Sequence, residues 1–372
     1  MTTYTRPLVL GINQDAPTAD QPLEERLALY GQNTGNLLFG EALYQVVENG
    51  RRTSYHYRNP EIAQADCVVV AAANWINPHN DFGSFAERLR KSGKPVVLVG
   101  IGIQVSDGET PQVSAGTRQL LDLAAETSAL ISTRGHRTAE VLNSWGYRNV
   151  MATGCPSLLL SGGHFATHAQ TPRPDAGNTV LMGTRHAFRP TSSRQNDLYR
   201  FAYRNGVDMI MQSELADMYF IEDLPRDAST TLKANPILAS CYADASVGNI
   251  RKYLRAHGKV FFHAREWAAY LRGKEYVIGT RIHGTIAAIL SGIRGILLNH
   301  DARTAELAEI MGIPTARFDD LDRLDFNRLG DLVAAADFDK TRRIYPEYLA
   351  RFEDFFAQNG LALRPPVTRF GD

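Results

Sequence analysis

The residues best placed to do chemistry lie in the segment Thr280-Arg281-Ile282-His283-Gly284-Thr285. Arg281 offers a planar fork that can grip a carboxylate or phosphate with two parallel hydrogen bonds. His283, two residues on, is the side chain whose ordinary pKa lies near neutral pH and can therefore give or take a proton there. Gly279 and Gly284 flank them, allowing backbone to come close to a ligand. The free N–H groups of a helix start would add further attraction for an anion. The spacing is expected to turn Arg281 and His283 toward one side, with Ile282 pointing into the core. An anion held by an arginine fork beside a proton-transfer histidine is the chemistry this pattern suggests.

The surrounding sequence says what positions these groups. Tyr276-Val277-Ile278-Gly279 is an apolar run of strand type, Ile286 to Leu290 is an apolar helical pattern closed by Ser291-Gly292, and Gly295 to Leu298 is a second apolar run. The segment Tyr276 to Pro314 is thus expected to form a strand, a tight turn, a helix, a strand and a loop: a βαβ unit. In a parallel sheet the ligand crevice lies outside the carboxyl ends of the strands, where Arg281, His283 and Gly284 fall.

The same alternation runs through the chain. Leu8 to Asn13, Cys67 to Ala73, Pro95 to Val99, Ala129 to Thr133 and Asn149 to Thr153 read as strands, with helices over Leu37–Val46, Phe82–Lys91, Thr117–Glu126 and Arg137–Trp145 between them. His164 to Asn178 has no periodicity and suits a linker. The pattern restarts at Thr179 to Gly183, with strands over Asp208–Met211 and Lys259–His263 and helices over Leu198–Arg204, Ser246–His257 and Arg265–Leu271; Ala216 to Leu224 fits either a helix or a strand. Tyr345 to Gly360 is an amphipathic helix with an aromatic stripe for packing. The expectation is an α/β protein of two Rossmann-like doubly wound domains facing across a cleft: residues 1–165 as one wall, 178–340 carrying the Arg-x-His-Gly turn as the other, and 341–372 as a helical segment returning to the first domain.

Strand ends then supply further candidates. Arg134 ends a strand of the first half, and Arg185 and His186 end a strand of the second. The loop Gly31-Gln32-Asn33-Thr34-Gly35-Asn36 before a helix is a backbone cradle with Asn33 and Asn36 as polar groups. Gly100-Ile101-Gly102-Ile103-Gln104 permits close approach at another strand end, with Gln104 facing a ligand; it is not a dinucleotide fingerprint. The loops Asn13–Leu29 and Asn74–Asp81 would confer substrate specificity.

Composition narrows the function classes. The chain has 372 residues, 44% hydrophobic and 22% charged, as in ordinary globular proteins. Forty Lys and Arg balance forty Asp and Glu, so the basic excess of a nucleic-acid binder is missing. Cys67, Cys155 and Cys241 are scattered and odd in number, which argues against a disulfide framework or a zinc site. Met1 to Leu10 lacks the pattern of a secretory leader, and no apolar run reaches about eighteen residues. The expectation is a cytoplasmic protein, at most peripherally associated with the inner membrane face, with no metal and no cofactor.

Taken together these segments resemble the polysaccharide pyruvyl transferases. The carrying segments are Gly31–Asn36, Val96–Gln104, Thr133–Leu142, Thr153–Leu158, Tyr276–Gly284 with the signature Gly-Thr-Arg-x-His-Gly, and Gly292–Pro314. The resemblance implies a GT-B-like fold and transfer of the enolpyruvyl-derived group of phosphoenolpyruvate, as co-substrate, to a sugar or lipid-linked saccharide, forming a pyruvate ketal. It implies that Arg134, Arg281 and His283 hold or act on the donor, with His283 as general acid/base. A family lysine is matched by Arg303, and Gly135 and Cys155 replace acidic residues of the family pattern. Ala71 to Asn74 replaces a glycine-rich turn. The alternatives are a nucleotide-sugar glycosyltransferase on the same architecture and a non-catalytic anion- or sugar-binding protein; loss of the histidine would mark the latter.

Overall fold

The computed structural model describes residues 2–12, 20–104, 111–168, 170–185, 193–242, 245–299, 302–318, 324–368 and 370–371, without the side chains of 193, 194, 302 and 303. Two parallel sheets form its frame. The first contains β1 (Pro7–Gly11), β2 (Arg51–Ser54), β3 (Cys67–Ala71) and β4 (Val96–Val99) in the order β2-β1-β3-β4. A parallel pair, β5 (Ile131–Thr133) and β6 (Val150–Ala152), continues it through the Ile101–Thr133 bridge and the bond from Gly100 N–H to Ser132 O. The second contains β7 (Thr179–Met182), β8 (Asp208–Met211), β9 (Gly258–Val260), β10 (Tyr276–Gly279), β11 (Arg294–Asn299) and β12 (Thr315–Arg317) in the order β12-β11-β10-β7-β8-β9.

Sequence explains most of this. Cys67-Val68-Val69-Val70-Ala71 and Val96-Val97-Leu98-Val99 are apolar throughout and entirely buried, as strands covered by helices on both faces must be. Ser114 and Ser246 open their helices by accepting the N–H groups of Thr117 and Asn249. Elements without such signals escape the sequence. β2 is Arg51-Arg52-Thr53-Ser54, a polar edge strand without the apolar run that marks β3 and β4. The ambiguous segment after Glu214 is a helix, Leu215–Ile221, and Ala228–Cys241 is a helix despite an internal Pro236. The polar stretch after Pro314 contains the helix Phe326–Ala335, capped by Asp325.

In each sheet the chain moves outward in one direction and then returns to the centre and moves out in the other. The reversal lies between β1 and β3 in the first sheet and between β7 and β10 in the second. Such switch points leave a crevice at the strand ends. The two crevices face each other across a cleft, giving the GT-B-like arrangement.

Polar bonds and the closing helix fix the two halves together. Tyr30 Oη donates to Phe262 O at 2.6 Å, Thr34 N–H to Gln212 O at 2.9 Å, and Arg26 pairs with Glu222. The helix Lys340–Gln358 buries Tyr345, Tyr348, Phe352, Phe355 and Phe356. Tyr348 Oη donates to Cys155 O at 2.6 Å, and Asn359 exchanges two bonds with the backbone of Leu130. Phe352 is wholly buried in this stripe. Phe352→Ala is therefore expected to destabilise the protein by about 3–5 kcal/mol in chemical denaturation; a loss below about 1 kcal/mol would show that the stripe does not carry the docking.

Candidate active site

The cleft between the switch points is a cavity of about 2050 Å³ lined from both halves. On the carboxyl-terminal side β10 ends at Gly279, and Arg281 N-caps the helix Ile282–Leu290. A Cβ on Gly279 would come within 2.1 Å of Met182 O, so glycine is required for β10 to lie against β7. Gly284 answers a similar demand. A Cβ there would meet Met182 Sδ at 2.0 Å, and the residue lies outside the cavity wall. Its small size lets the helix settle on the strand ends, and the close approach it permits is to protein rather than to a ligand.

Arg281 lines the cleft, but its guanidinium is turned into the fold. Nε donates to Gly183 O at 3.1 Å, and Nη2 donates to Arg185 O at 2.7 Å, to Ser213 Oγ and to Glu214 Oε1 at 2.5 Å. Glu214 is fully buried and also accepts the N–H groups of Arg185, Gln212 and Ser213. Burial by itself would push its carboxyl pKa up; the charges of Arg281 and Arg185 and the bonds from Ser213 and Arg281 outweigh it and hold the pKa below the usual glutamate range. The expected open fork for a donor is thus corrected. Arg281 ties the ends of β7, β8 and β10 together and presents only part of itself to the cleft.

Arg185 departs further from expectation. It is wholly buried, paired with Asp217, and stacked with its Cζ 5.4 Å from the Tyr199 ring centroid; it lies outside the cleft wall. The strand end expected to aim it at a ligand instead feeds it into the core beside Asp217. His186 lies outside the described residues, as does the side chain of Arg303, and so do residues 13–19 of the loop expected to select a substrate.

His283 is buried in the first helical turn and lines the cleft. Its Nε2 lies 3.6 Å from Cys155 Sγ, and its ring centroid is 5.8 Å from that of Phe39, both residues of the other half. Gly35 makes this approach possible: a Cβ there would lie 2.9 Å from His283 Cβ and 2.3 Å from Gln212 Oε1. Ile282 departs from expectation. It is half-buried and on the cleft wall, because successive residues of a helix turn by about 100° instead of alternating as in a strand.

Arg134 lines the opposite wall. Nε donates to Gly100 O at 2.9 Å and Nη1 to Asn74 Oδ1 at 3.4 Å, and its Cζ sits 5.3 Å from the Phe39 ring centroid. Phe39 thereby stands against both Arg134 and His283. Asn33, Asn36 and Gln104 line the cleft as well. Asn33 Oδ1 accepts from Gly35 N–H and Asn36 Nδ2 donates to Tyr30 O, so both asparagines also shape their own loop.

Several cleft residues have no sequence signal pointing to them. Phe39 belongs to an apolar helix stripe that reads as core. Phe82 and Tyr55 meet Trp75, which belongs to the Asn74–Asp81 loop expected to confer specificity: Phe82 stacks on it with centroids 4.3 Å apart and Tyr55 meets it edge-on at 5.6 Å, forming an aromatic wall. Glu306 sits on the helix Ala302–Met311, in a segment that reads only as a loop. Among the described residues no group of three or more His, Cys, Asp and Glu could hold a metal, and no helix is long and apolar enough to cross a membrane.

The Glu214 network gives a stability test. Its folded pKa is depressed, so its contribution is present above the ordinary glutamate value of about 4.3 and is lost as pH falls through the folded value. Glu214→Gln leaves the buried Arg281 guanidinium without its carboxylate, while Arg185 keeps Asp217. It is expected to cost about 3–5 kcal/mol near neutral pH, with parent and variant converging in urea denaturation as the pH is lowered below about 4. A gap independent of pH would contradict the pairing.

The family model described as polysaccharide pyruvyl transferase matches residues 33–302. A comparison with curated proteins finds no match. Similar solved structures include a functionally uncharacterised protein from Klebsiella pneumoniae, 13% identical over 82% of this chain and 88% of that one, TM-score 0.39. Another is S. aureus MnaA with UDP, 9% identical over 96% and 98%, TM-score 0.42. A third is a UDP-N-acetylglucosamine 2-epimerase from Listeria monocytogenes, so named provisionally, 11% identical over 95% and 97%, TM-score 0.41. At scores this low nothing about this chain's activity follows from them.

Proposed function

The chain belongs to the polysaccharide pyruvyl transferase family, and we propose that it transfers the enolpyruvyl-derived group of phosphoenolpyruvate to a sugar of a polysaccharide or its lipid-linked precursor, releasing phosphate and leaving a pyruvate ketal. It is a transferase, as that family implies. The observation that carries the proposal is the meeting of His283 and Arg134, from opposite halves, against the same face-forming residue, Phe39. A proton-transfer group and a guanidinium then border one space in the cleft.

In this reading Arg134 holds an anionic group of the donor by charge-assisted bonds. Arg281 acts mainly by fixing the turn that carries His283. The imidazole gives a proton to the methylene carbon of the donor as an acceptor hydroxyl attacks the adjacent carbon. A second hydroxyl displaces phosphate and closes the ketal. The Trp75–Phe82 stack offers an apolar face of the kind against which a sugar ring packs. The acceptor enters from this amino-terminal side.

Phosphoenolpyruvate is expected to raise the melting temperature, since a ligand that binds only the folded state stabilises it by mass action. Uridine- and guanosine-diphosphate sugars should do so less; the reverse order would favour a nucleotide-sugar glycosyltransferase. His283→Asn should fold, keep the shift with phosphoenolpyruvate and lose phosphate release by about 10²- to 10⁴-fold. Turnover within about threefold of the parent would remove His283 from its proton-transfer role.

A further inference from the structure

Glu306 crosses the cleft. It stands on the helix Ala302–Met311 of the carboxyl-terminal half, and its Oε1 accepts the N–H of Arg137 in the first turn of the helix His136–Ser144 of the other half. Gly135, the N-cap of that helix, makes room for it. A Cβ there would lie 2.3 Å from the Glu306 carboxyl carbon and 2.4 and 2.7 Å from its oxygens. Gly135 has extended backbone, φ −164°, which any residue adopts, so the glycine serves the approach of this carboxylate and not the turn.

The cleft wall holds two carboxylates among the described residues, Glu306 and Asp81. They differ in environment. Asp81 accepts the N–H of Gly83 at 2.8 Å, and this bond, with one from Ser114, keeps its pKa below the usual range. Burial pushes the Glu306 pKa up, and the Arg137 N–H and the charges of His136 and Arg137 only partly offset this. Two carboxyls of one cleft are thus pushed apart, which suits different roles. Asp81 is a spent acceptor; Glu306 keeps an affinity for a proton and has one oxygen, Oε2, outside the Arg137 bond.

The chemistry of ketal formation calls for such a group. Two acceptor hydroxyls lose their protons, one of which appears in the new methyl group and the other on the released phosphate. His283 can supply the methyl proton, yet it cannot accept the hydroxyl proton in the same step. We propose that Glu306 is the base that takes the proton of the attacking acceptor hydroxyl, an inference that rests on the pyruvyl-transfer reading. The hydroxyl oxygen bonds to the enol carbon of phosphoenolpyruvate, the π pair takes a proton from His283, and the hydroxyl proton passes to Glu306. The second hydroxyl then displaces phosphate, which carries off its proton. Glu306 has gained the one proton that His283 has lost, and return of that proton resets the site.

The test compares parent, Glu306→Gln and Gly135→Ala for phosphate release from phosphoenolpyruvate, with the methyl glycosides of glucose, galactose, mannose and N-acetylglucosamine as acceptors, and for the melting shift with phosphoenolpyruvate alone. Glutamine can still accept from Arg137 N–H, so the contact between the halves survives. Glu306→Gln is expected to keep the melting shift and lose phosphate release by about 10²- to 10⁴-fold. Gly135→Ala places a methyl where the carboxylate lies and is expected to lose at least about tenfold, with the shift kept. Either variant turning over within about threefold of the parent overturns the inference and leaves Glu306 as a helix cap. A Glu306→Gln protein that fails to fold leaves Gly135→Ala to decide on the same criterion. A parent that releases no phosphate overturns the functional reading and this inference with it.

Discussion

The buried charge cluster of Glu214, Arg281, Arg185 and Asp217 is the constraint on which the carboxyl-terminal half depends. Charges taken out of water cost several kcal/mol each, and their mutual attraction recovers this only with good geometry. Here the geometry is supplied by the strand ends. Glu214 accepts backbone N–H groups after β7 and β8, while Arg281 donates to a carbonyl after β7. The cluster can be satisfied only when β7, β8 and β10 end in register. What it supplies is position, and the position it fixes is that of the turn bearing His283.

Position matters because the cleft is lined from both halves. The reversal of strand order in each sheet opens a crevice at its centre, and the halves are held so that the crevices oppose each other. Small residues carry the close approaches. Gly35 lets an amino-terminal loop pass over His283, and Gly135 admits the Glu306 carboxylate in the other direction. Each half thus reaches into the other's crevice through a gap where a side chain is missing.

Much of this is legible in the sequence. Apolar runs of strand length announce the parallel sheets, and the Arg-x-His-Gly turn identifies the centre of the second one. The roles of individual side chains are harder to read. Arg281 and Arg185 look alike as strand-end arginines, but each is neutralised by a carboxylate, Glu214 and Asp217, whose proximity arises only when separate strands meet. The expectation that Ile282 faces inward carries strand alternation one residue too far, past the point where the helix begins. Glu306 and Phe39 become cleft residues through contacts across the domain boundary, and no local pattern records such contacts. β2 shows the same principle at the surface: an edge strand needs no apolar face, so its residues do not advertise it.

The setting of His283 has a further consequence. Its imidazole is walled by Phe39 and Cys155, contributed by one half, and carried on a helix of the other. That pocket belongs to neither half and comes into being only at their junction. Taken alone, the carboxyl-terminal half would keep the turn and lose the enclosure, so the shelter of the imidazole is a property of the pair.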